Sequence, residues 1–424
     1  MSIMKIMPPA LSVQDGRVRL SAEIIMPTGS QTLWFECAPR VQPMLDVTSC
    51  DAFVVAMLVR AQHEGWDIEV CGPMSARLYY NISHHYIELM RHCAPGLHKI
   101  GITARYLSRA RHDGTGVIAG FSAGVDSFCT VADHAAGRVP PEYQLTHLLM
   151  NNVGSHGQNE HDYAVFLERQ QRLEPLAHAL GLELVAVNSN LDALLGMNFQ
   201  LTHVARNAAV GLLLQKGIGK YMYSAAYHYR DCKVIPTPAY GDADALLVPM
   251  LSTESLECID TGAQYTRFEK SALIADQPLV QQNLDVCVSP VMAPSGKVNC
   301  SRCWKCLRTQ ASLEIVGKLQ NFSAVFDLDT YQAYRWLYLC YLARSPKPMA
   351  ADIRTGMKEY NYRFPLSARL AAYVAPPLLV EQIVLKWPMR GTQGCVPVVL
   401  DILKCYLSGL LPLRLRRWLR SKLG

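Results

Sequence analysis

The sequence predicts an α/β protein: a parallel sheet with helices on both faces, an α+β module before it and a helical region after it. Three observations lead there. From residue 117 short apolar runs alternate with longer amphipathic stretches, the pattern of buried parallel strands between helices. Earlier runs such as "RVRLSAEIIM" alternate apolar with polar residues, which suits strands buried on one face. Beyond about residue 250 that pattern stops, and a cysteine-rich segment leads into helical stretches.

The expected modules are 1–112, 113–320 and 321–424. In the first, "RVRLSAEIIM", "QTLWFECA" and "WDIEVCGP" read as strands, and 51–64 and 81–94 as helices. "DGTG" at 113–116 is a turn signal that opens the second module. There "VIAGF" (117–121) is a strand, followed by a helix over roughly 126–136. "LTHLLMN" (145–151) and a helix over roughly 158–180 come next. "LELVAVN" (182–188), a helix over roughly 200–216 and the strand "KYMYSAAY" (220–227) complete the alternation. Ligands of such sheets sit at the carboxyl ends of the strands, so residues 122–127 are well placed for a site.

Composition narrows the classes. At 424 residues the chain has room for two or three cores. The opening "MSIMKIMPPALSVQDGRVRL" has no apolar core of signal-peptide length. No run of about 18 uncharged apolar residues suggests a spanning helix. A cytoplasmic location is expected, with the fourteen cysteines as thiols, metal ligands or catalytic groups. The net charge is +6, but Arg414, Arg416, Arg417, Arg420 and Lys422 sit together in the tail. Without them the charge is +1, which argues against a broad nucleic-acid surface. That apolar, then basic tail could touch a membrane surface or a partner, or pack on the domain with a solvated basic end.

"GFSAGVDSF", from Gly120, admits two chemistries. G-x-S-x-G is the nucleophile elbow of serine hydrolases, with Ser122 as attacker. That reading needs a late histidine, and the last of the thirteen is His228. The alternative is an anion cradle. A strand ending in small residues and entering a helix turns backbone N–H groups toward an anion. Gly124 permits close approach, Ser122 and Ser127 add hydroxyls, and Asp126 could hold Mg²⁺ beside phosphates. A Walker loop is excluded by the missing lysine.

"CVSPVMAPSGKVNCSRCWKC" supplies Cys287, Cys300, Cys303 and Cys306. C-x-x-C-x-x-C in a reducing compartment signals a metal, and a structural Zn²⁺ takes four ligands. Cys287 is the expected fourth ligand and Cys258 the reserve. A helix is expected over roughly 304–317.

With these residues in view, "FSAGVDS" resembles the PP-loop, S-G-G-x-D-S, of the ATP pyrophosphatase superfamily (adenine nucleotide alpha-hydrolase-like). It departs at Ala123, which replaces the first glycine. Together with the cysteines, the stretch 115–320 is similar to 7-cyano-7-deazaguanine synthase-like (QueC-like) proteins, in a divergent branch. The resemblance implies a HUP-type, Rossmann-like fold and the cofactors ATP, Mg²⁺ and Zn²⁺, with an iron–sulfur cluster as the alternative metal group. It implies that ATP is split to AMP and pyrophosphate, that a carboxylate or amide is adenylated, and that a C–N bond follows. The implied partners are a small acid or amide, an amine or ammonia donor, and proteins of the same operon, with a homo-oligomer open.

By the resemblance, Phe121, Ser122, Ala123, Gly124, Val125, Asp126 and Ser127 line the nucleotide, and Met150 and Asn151 adjoin the adenine. Lys270 contacts phosphates, with Arg267 and Glu269 beside it. Arg206 reaches the α-phosphate or an acidic substrate, or else makes a helix-surface salt bridge. His156, Ser224 and Arg308 are further candidates. Rival readings are sulfur transfer to tRNA using Cys129, a degenerate nucleotide-binding scaffold, and a serine hydrolase.

Overall fold

The computed structural model describes residues 2–155, 160–236, 240–287 and 296–374. The chain forms two compact units, Met1–Tyr265 and Thr266–Gly424. The first unit holds eleven strands: β1 (Ile3–Ile6), β2 (Ala10–Gln14), β3 (Arg17–Met26), β4 (Gly29–Cys37), β5 (Asp67–Ser75), β6 (Ile102–Ser108), β7 (Gly116–Gly120), β8 (His147–Asn152), β9 (Glu183–Ser189), β10 (Ile218–Ser224) and β11 (Glu257–Thr261). They make one sheet in the order β11-β10-β7-β8-β9-β4-β3-β1-β5-β6, with β2 beside β3.

The sheet is mixed and mostly parallel. β11, β10, β7, β8 and β9 all run parallel, as do β1, β5 and β6. Burial follows the sequence patterns. β3 alternates buried with partly exposed positions, whereas Gly116–Ala119 of β7 are all buried. Gly114 and Gly116 of the turn signal serve close approach. A Cβ on Gly114 would lie 2.7 Å from the Gly217 carbonyl carbon, and one on Gly116 2.6 Å from Ile218.

Residues 1–112 do not stand apart as expected. β4 pairs antiparallel with β9, matching Phe35 to Ser189 and Cys37 to Val187. The helix Asp51–Glu64 packs on the helix Phe199–Leu213. One hydrophobic core therefore runs from Met4 to Cys258. The compact units divide at 265/266, and not at 112/113 or 320/321. β11 was also not foreseen: "ECIDT" is short and carries two acids.

The second unit is helical among its described residues. Its helices include Arg267–Ile274, Trp304–Ile315, Leu328–Arg344 and Pro348–Glu359. Glu314 ties three of its segments together, accepting from Tyr331, Arg335 and Tyr362 at 2.6–2.9 Å.

Candidate functional site

Counted from β7, the parallel strands stand in the order 3-2-1-4-5. The side on which successive strands are added reverses around the first of them, so the crevice beyond β7 is the switch point where such sheets bind ligands. Phe121 follows β7 and donates its N–H to Leu149 O at 2.8 Å. Its ring meets Phe128 edge to face, with centroids 5.2 Å apart. Ala123 takes a left-handed φ of +57° and is fully buried. Gly124 is extended and caps the helix Val125–Asp133. The left-handed step turns the chain off the strand, so the first helical turn faces the crevice. A helix's first turn presents N–H groups that have no acceptor inside the helix.

The loop side chains separate by environment. Ser122 is exposed, Asp126 is half-buried, and Val125 and Ser127 are buried. Ser127 donates its hydroxyl to Gly124 O at 3.1 Å, so it shapes the loop instead of pointing out of it. Thr130 anchors the helix one turn later, with its hydroxyl 2.9 Å from Ser224 Oγ and 3.2 Å from Thr261 Oγ1. Those two residues end β10 and β11. Ser224 thus borders the crevice, and its hydroxyl is engaged with the helix.

After β8, Met150 is buried and Asn151 donates to Asn207 Oδ1 at 3.0 Å. Arg206 corrects the expectation of a phosphate ligand or surface pair. It is fully buried. It donates to Thr202 Oγ1 at 2.5 Å, Val153 O at 2.7 Å, Met197 O at 3.0 Å and the Asp192 carboxylate. Burial lowers its pKa, and Asp192 offsets this. Gly154, at φ +114°, passes over this pair where a Cβ would collide with both partners. Arg206 therefore holds the loop after β8. His156 lies outside the described residues.

A narrow cleft opens beyond β10 and β11. Tyr227, His228, Cys232, Asp242, Asp244 and Asp260 line it. The buried Asp244 faces the partly buried His203, whose Nε2 lies 3.2 Å from both carboxylate oxygens. His203 Nδ1 faces only the Gln200 carbonyl, at 2.7 Å, so it carries a hydrogen. A single proton then joins Nε2 to Asp244. Burial would lower the imidazole's pKa, yet Asp244 raises it on balance. This dyad carries no sequence signal, since 41 positions separate its members.

In the second unit Cys287, Cys300, Cys303 and Cys306 gather with all four sulfurs within 4.8 Å of one another. Cys306 Sγ lies 3.4 Å from Cys303 Sγ and 3.9 Å from Cys300 Sγ. Zinc–thiolate bonds of about 2.3 Å put tetrahedral sulfurs roughly 3.8 Å apart, so the cluster could hold a metal such as zinc. Cys300 Sγ accepts from Cys303 N at 3.3 Å, and Cys303 Sγ from Cys306 N at 3.5 Å. Hydrogen bonds from Cys287 first, then from the other thiols, pull the Cys300 thiol down. The reserve ligand, Cys258, lies in the first unit, donates to Leu251 O at 3.6 Å, and is held neutral by burial, its pKa about 12.

The knuckle's support was not anticipated. Asn299 is fully buried, donates to Leu284 O and Val325 O, and accepts from Val286 N. It thereby fixes the strand of chain that delivers Cys287. Ser301, left-handed at φ +59°, accepts from Asp327 N at 2.8 Å, and its carbonyl accepts from Gln310 at 2.9 Å. An asparagine immediately before the first knuckle cysteine was the available signal.

Lys270 is buried on the helix Arg267–Ile274 of the second unit. Glu269 closes the capping box of that helix with Thr266. Arg308 stacks on Trp304 at 4.9 Å and contacts Met349. Cys129 is fully buried, and the basic tail lies outside the described residues. Among the described residues no helix is long and apolar enough to cross a membrane. Comparison with family models, curated proteins and solved structures finds no match to this chain.

Proposed function

We propose that this chain is a PP-loop enzyme, QueC-like, that splits ATP to AMP and pyrophosphate while activating a small carboxylate or amide for C–N bond formation. One observation carries the reading. A small-residue loop, turned by a left-handed residue, runs into a helix N-terminus at the carboxyl end of β7, the strand around which the order reverses. The order 3-2-1-4-5 is also what a HUP-type sheet requires.

In this reading the backbone of 122–127 and the Ser122 hydroxyl hold the leaving pyrophosphate, and Ser127 keeps the cradle in shape through Gly124. Bound Mg²⁺ would offset phosphate charge, and Asp126 would hold it. The acceptor oxygen attacks the α-phosphorus and pyrophosphate leaves. A nitrogen nucleophile then attacks the acyl carbon, and AMP departs. Phe121, Met150 and Asn151 border the adenine. The acceptor lies at the mouth of the cleft beyond β10 and β11, which Asp244 of the His203–Asp244 dyad lines. Lys270 is carried as a phosphate ligand by the resemblance alone. A structural zinc closes the four cysteines.

Ala123 favours a second reading, a nucleotide-binding subunit without turnover. Its methyl is buried, however, so it lies away from the anion-facing side. The hydrolase reading has less support: Ser122 has no histidine hydrogen-bond partner among the described residues. The buried Cys129 does not suit a sulfur carrier.

The test is turnover of α-labelled ATP with Mg²⁺ and a panel of small acids and amines. Labelled AMP, lost in Asp126→Asn, is the expected result. Labelled ADP, or AMP release that survives Asp126→Asn, overturns the proposal.

A further inference from the structure

The two edges of the eleven-stranded sheet are unlike. β11 exposes only Glu257 of its five residues, whereas β6 exposes Thr103, Arg105, Tyr106 and Leu107 of its seven. Tyr106 is 56 % exposed and Leu107 49 %. The helix Ala76–Asn81 packs against β6 and adds Tyr80, 54 % exposed. Edge strands normally protect themselves by being short, charged, bulged or covered; the β5–β6 register shifts between Val70 and Pro73, yet β6 still presents large apolar side chains.

The backbone of β6 is open as well. β5 pairs with it in parallel, matching Ile68 to Ile102 and Val70 to Ala104, and Ile68 N donates to Gly101 O at 2.9 Å. In that register the odd-numbered residues 101, 103 and 105 face β5. The N–H and C=O groups of Ile102 and Ala104 therefore point away from the sheet.

Charge sets the occupant. Arg105, Arg109 and Arg111 are all exposed, and none has a carboxylate partner among the described residues. One guanidinium on the open strand and two more in the segment that follows it repel a second copy of that strand. They attract an acidic chain, and Arg forks match carboxylates well.

We propose that β6 receives an extended acidic peptide segment of a partner protein as a twelfth strand. The segment's backbone pairs with Ile102 and Ala104, its carboxylates meet Arg105 on one face and Arg109 and Arg111 beyond the strand, and its apolar side chains cover Tyr106 on the other face. A nucleic acid could use the arginines, but it could not satisfy the outward N–H and C=O pairs in strand register, so the peptide is favoured. The proposal does not depend on the ATP chemistry.

The experiment uses the full chain and fluorescence anisotropy of a labelled ten-residue peptide of alternating valine and glutamate. Binding is expected, weakening as salt rises. Ala104→Pro removes only an outward N–H, and should weaken binding by about tenfold or more with an unchanged melting temperature. The triple change Arg105→Glu, Arg109→Glu and Arg111→Glu should abolish it and admit a valine–lysine peptide instead. Binding unaffected by Ala104→Pro overturns the proposal. So does a labelled oligouridylate that binds as tightly as the peptide and is indifferent to that substitution, which would mark a general polyanion surface. If Ala104→Pro lowers the melting temperature, Ala104→N-methylalanine, made by ligation, removes the same N–H and decides by the same criterion.

Discussion

Ala123 in the loop after β7 and Ser301 in the cysteine knuckle both hold a left-handed backbone, at φ +57° and +59°, without being glycine. They are held there by different means. Ala123 is pinned by burial alone. Ser301 is pinned by hydrogen bonds to Asp327 and Gln310, with Asn299 beside it. The difference follows what each turn encloses. The knuckle turns inward on four thiols, of which Cys303 and Cys306 are buried. The loop turns outward, with Ser122 exposed and a helix start facing the crevice. A closed turn needs a polar frame to aim its ligands, whereas an open turn needs only a rigid floor and a free rim.

That contrast can be broken at several points. The largest effect is expected at the knuckle. On the proposal that the four cysteines hold a metal, chelation or Cys303→Ser should cost about 4 kcal/mol or more, because a metal bound there would also supply folding energy. Urea denaturation with and without chelator checks it; coincident curves would mean the four thiols close without metal. In the first unit, Arg206→Met should cost about 3–5 kcal/mol by removing the buried partner of the half-buried Asp192 and the donor to the Val153 and Met197 carbonyls, again read from urea curves. Adding Asp192→Leu should recover much of that loss.

A third test separates the units by pH. Burial first, offset by hydrogen bonds from Ser75, Ser49 and Gln215, raises the Asp51 pKa from 3.8 to about 6. A raised folded-state value means a contribution present below about pH 4 and lost as pH rises through about 6, worth about 3 kcal/mol. The stability difference between wild type and Asp51→Asn should therefore fall by about that amount from pH 3 to pH 7. A flat difference would show that Asp51 titrates normally.

The smallest effects compare the two turns directly. Glycine relieves about 1 kcal/mol of left-handed strain, while its freer unfolded chain costs about 0.4–1 kcal/mol. Ala123→Gly should thus be neutral within about 0.5 kcal/mol. Ser301→Gly also loses the hydroxyl bonds and should destabilise by about 1–2 kcal/mol. Equal responses would remove the distinction between the turns.

The parts of this molecule that were legible are those with local rules. The four strands from "VIAGF" to "KYMYSAAY" and the helix at 51–64 were readable from apolar period, and the C-x-x-C-x-x-C spacing pointed to the thiol cluster before any geometry. What was missed depends on contacts distant in sequence. Residues 1–112 looked separate because nothing local announces that Phe35 pairs with Ser189. Arg206 reads from sequence as a phosphate or substrate ligand, or as a helix-surface ion pair, because its partners, Asp192 and Val153, come from other segments. Ser127 looked like a ligand donor until its hydroxyl was found on Gly124 O. His203 and Asp244 gave no hint of one another.

The central claim is that residues 121–127 cradle the phosphates of a nucleotide. Amide hydrogen exchange measured with and without Mg-ATP tests it without knowledge of the acceptor. The account expects slowed exchange concentrated in the segment 121–128, reproduced by Mg-pyrophosphate and abolished by Asp126→Asn. No protection of that segment at saturating nucleotide, or protection unaffected by Asp126→Asn, would contradict it.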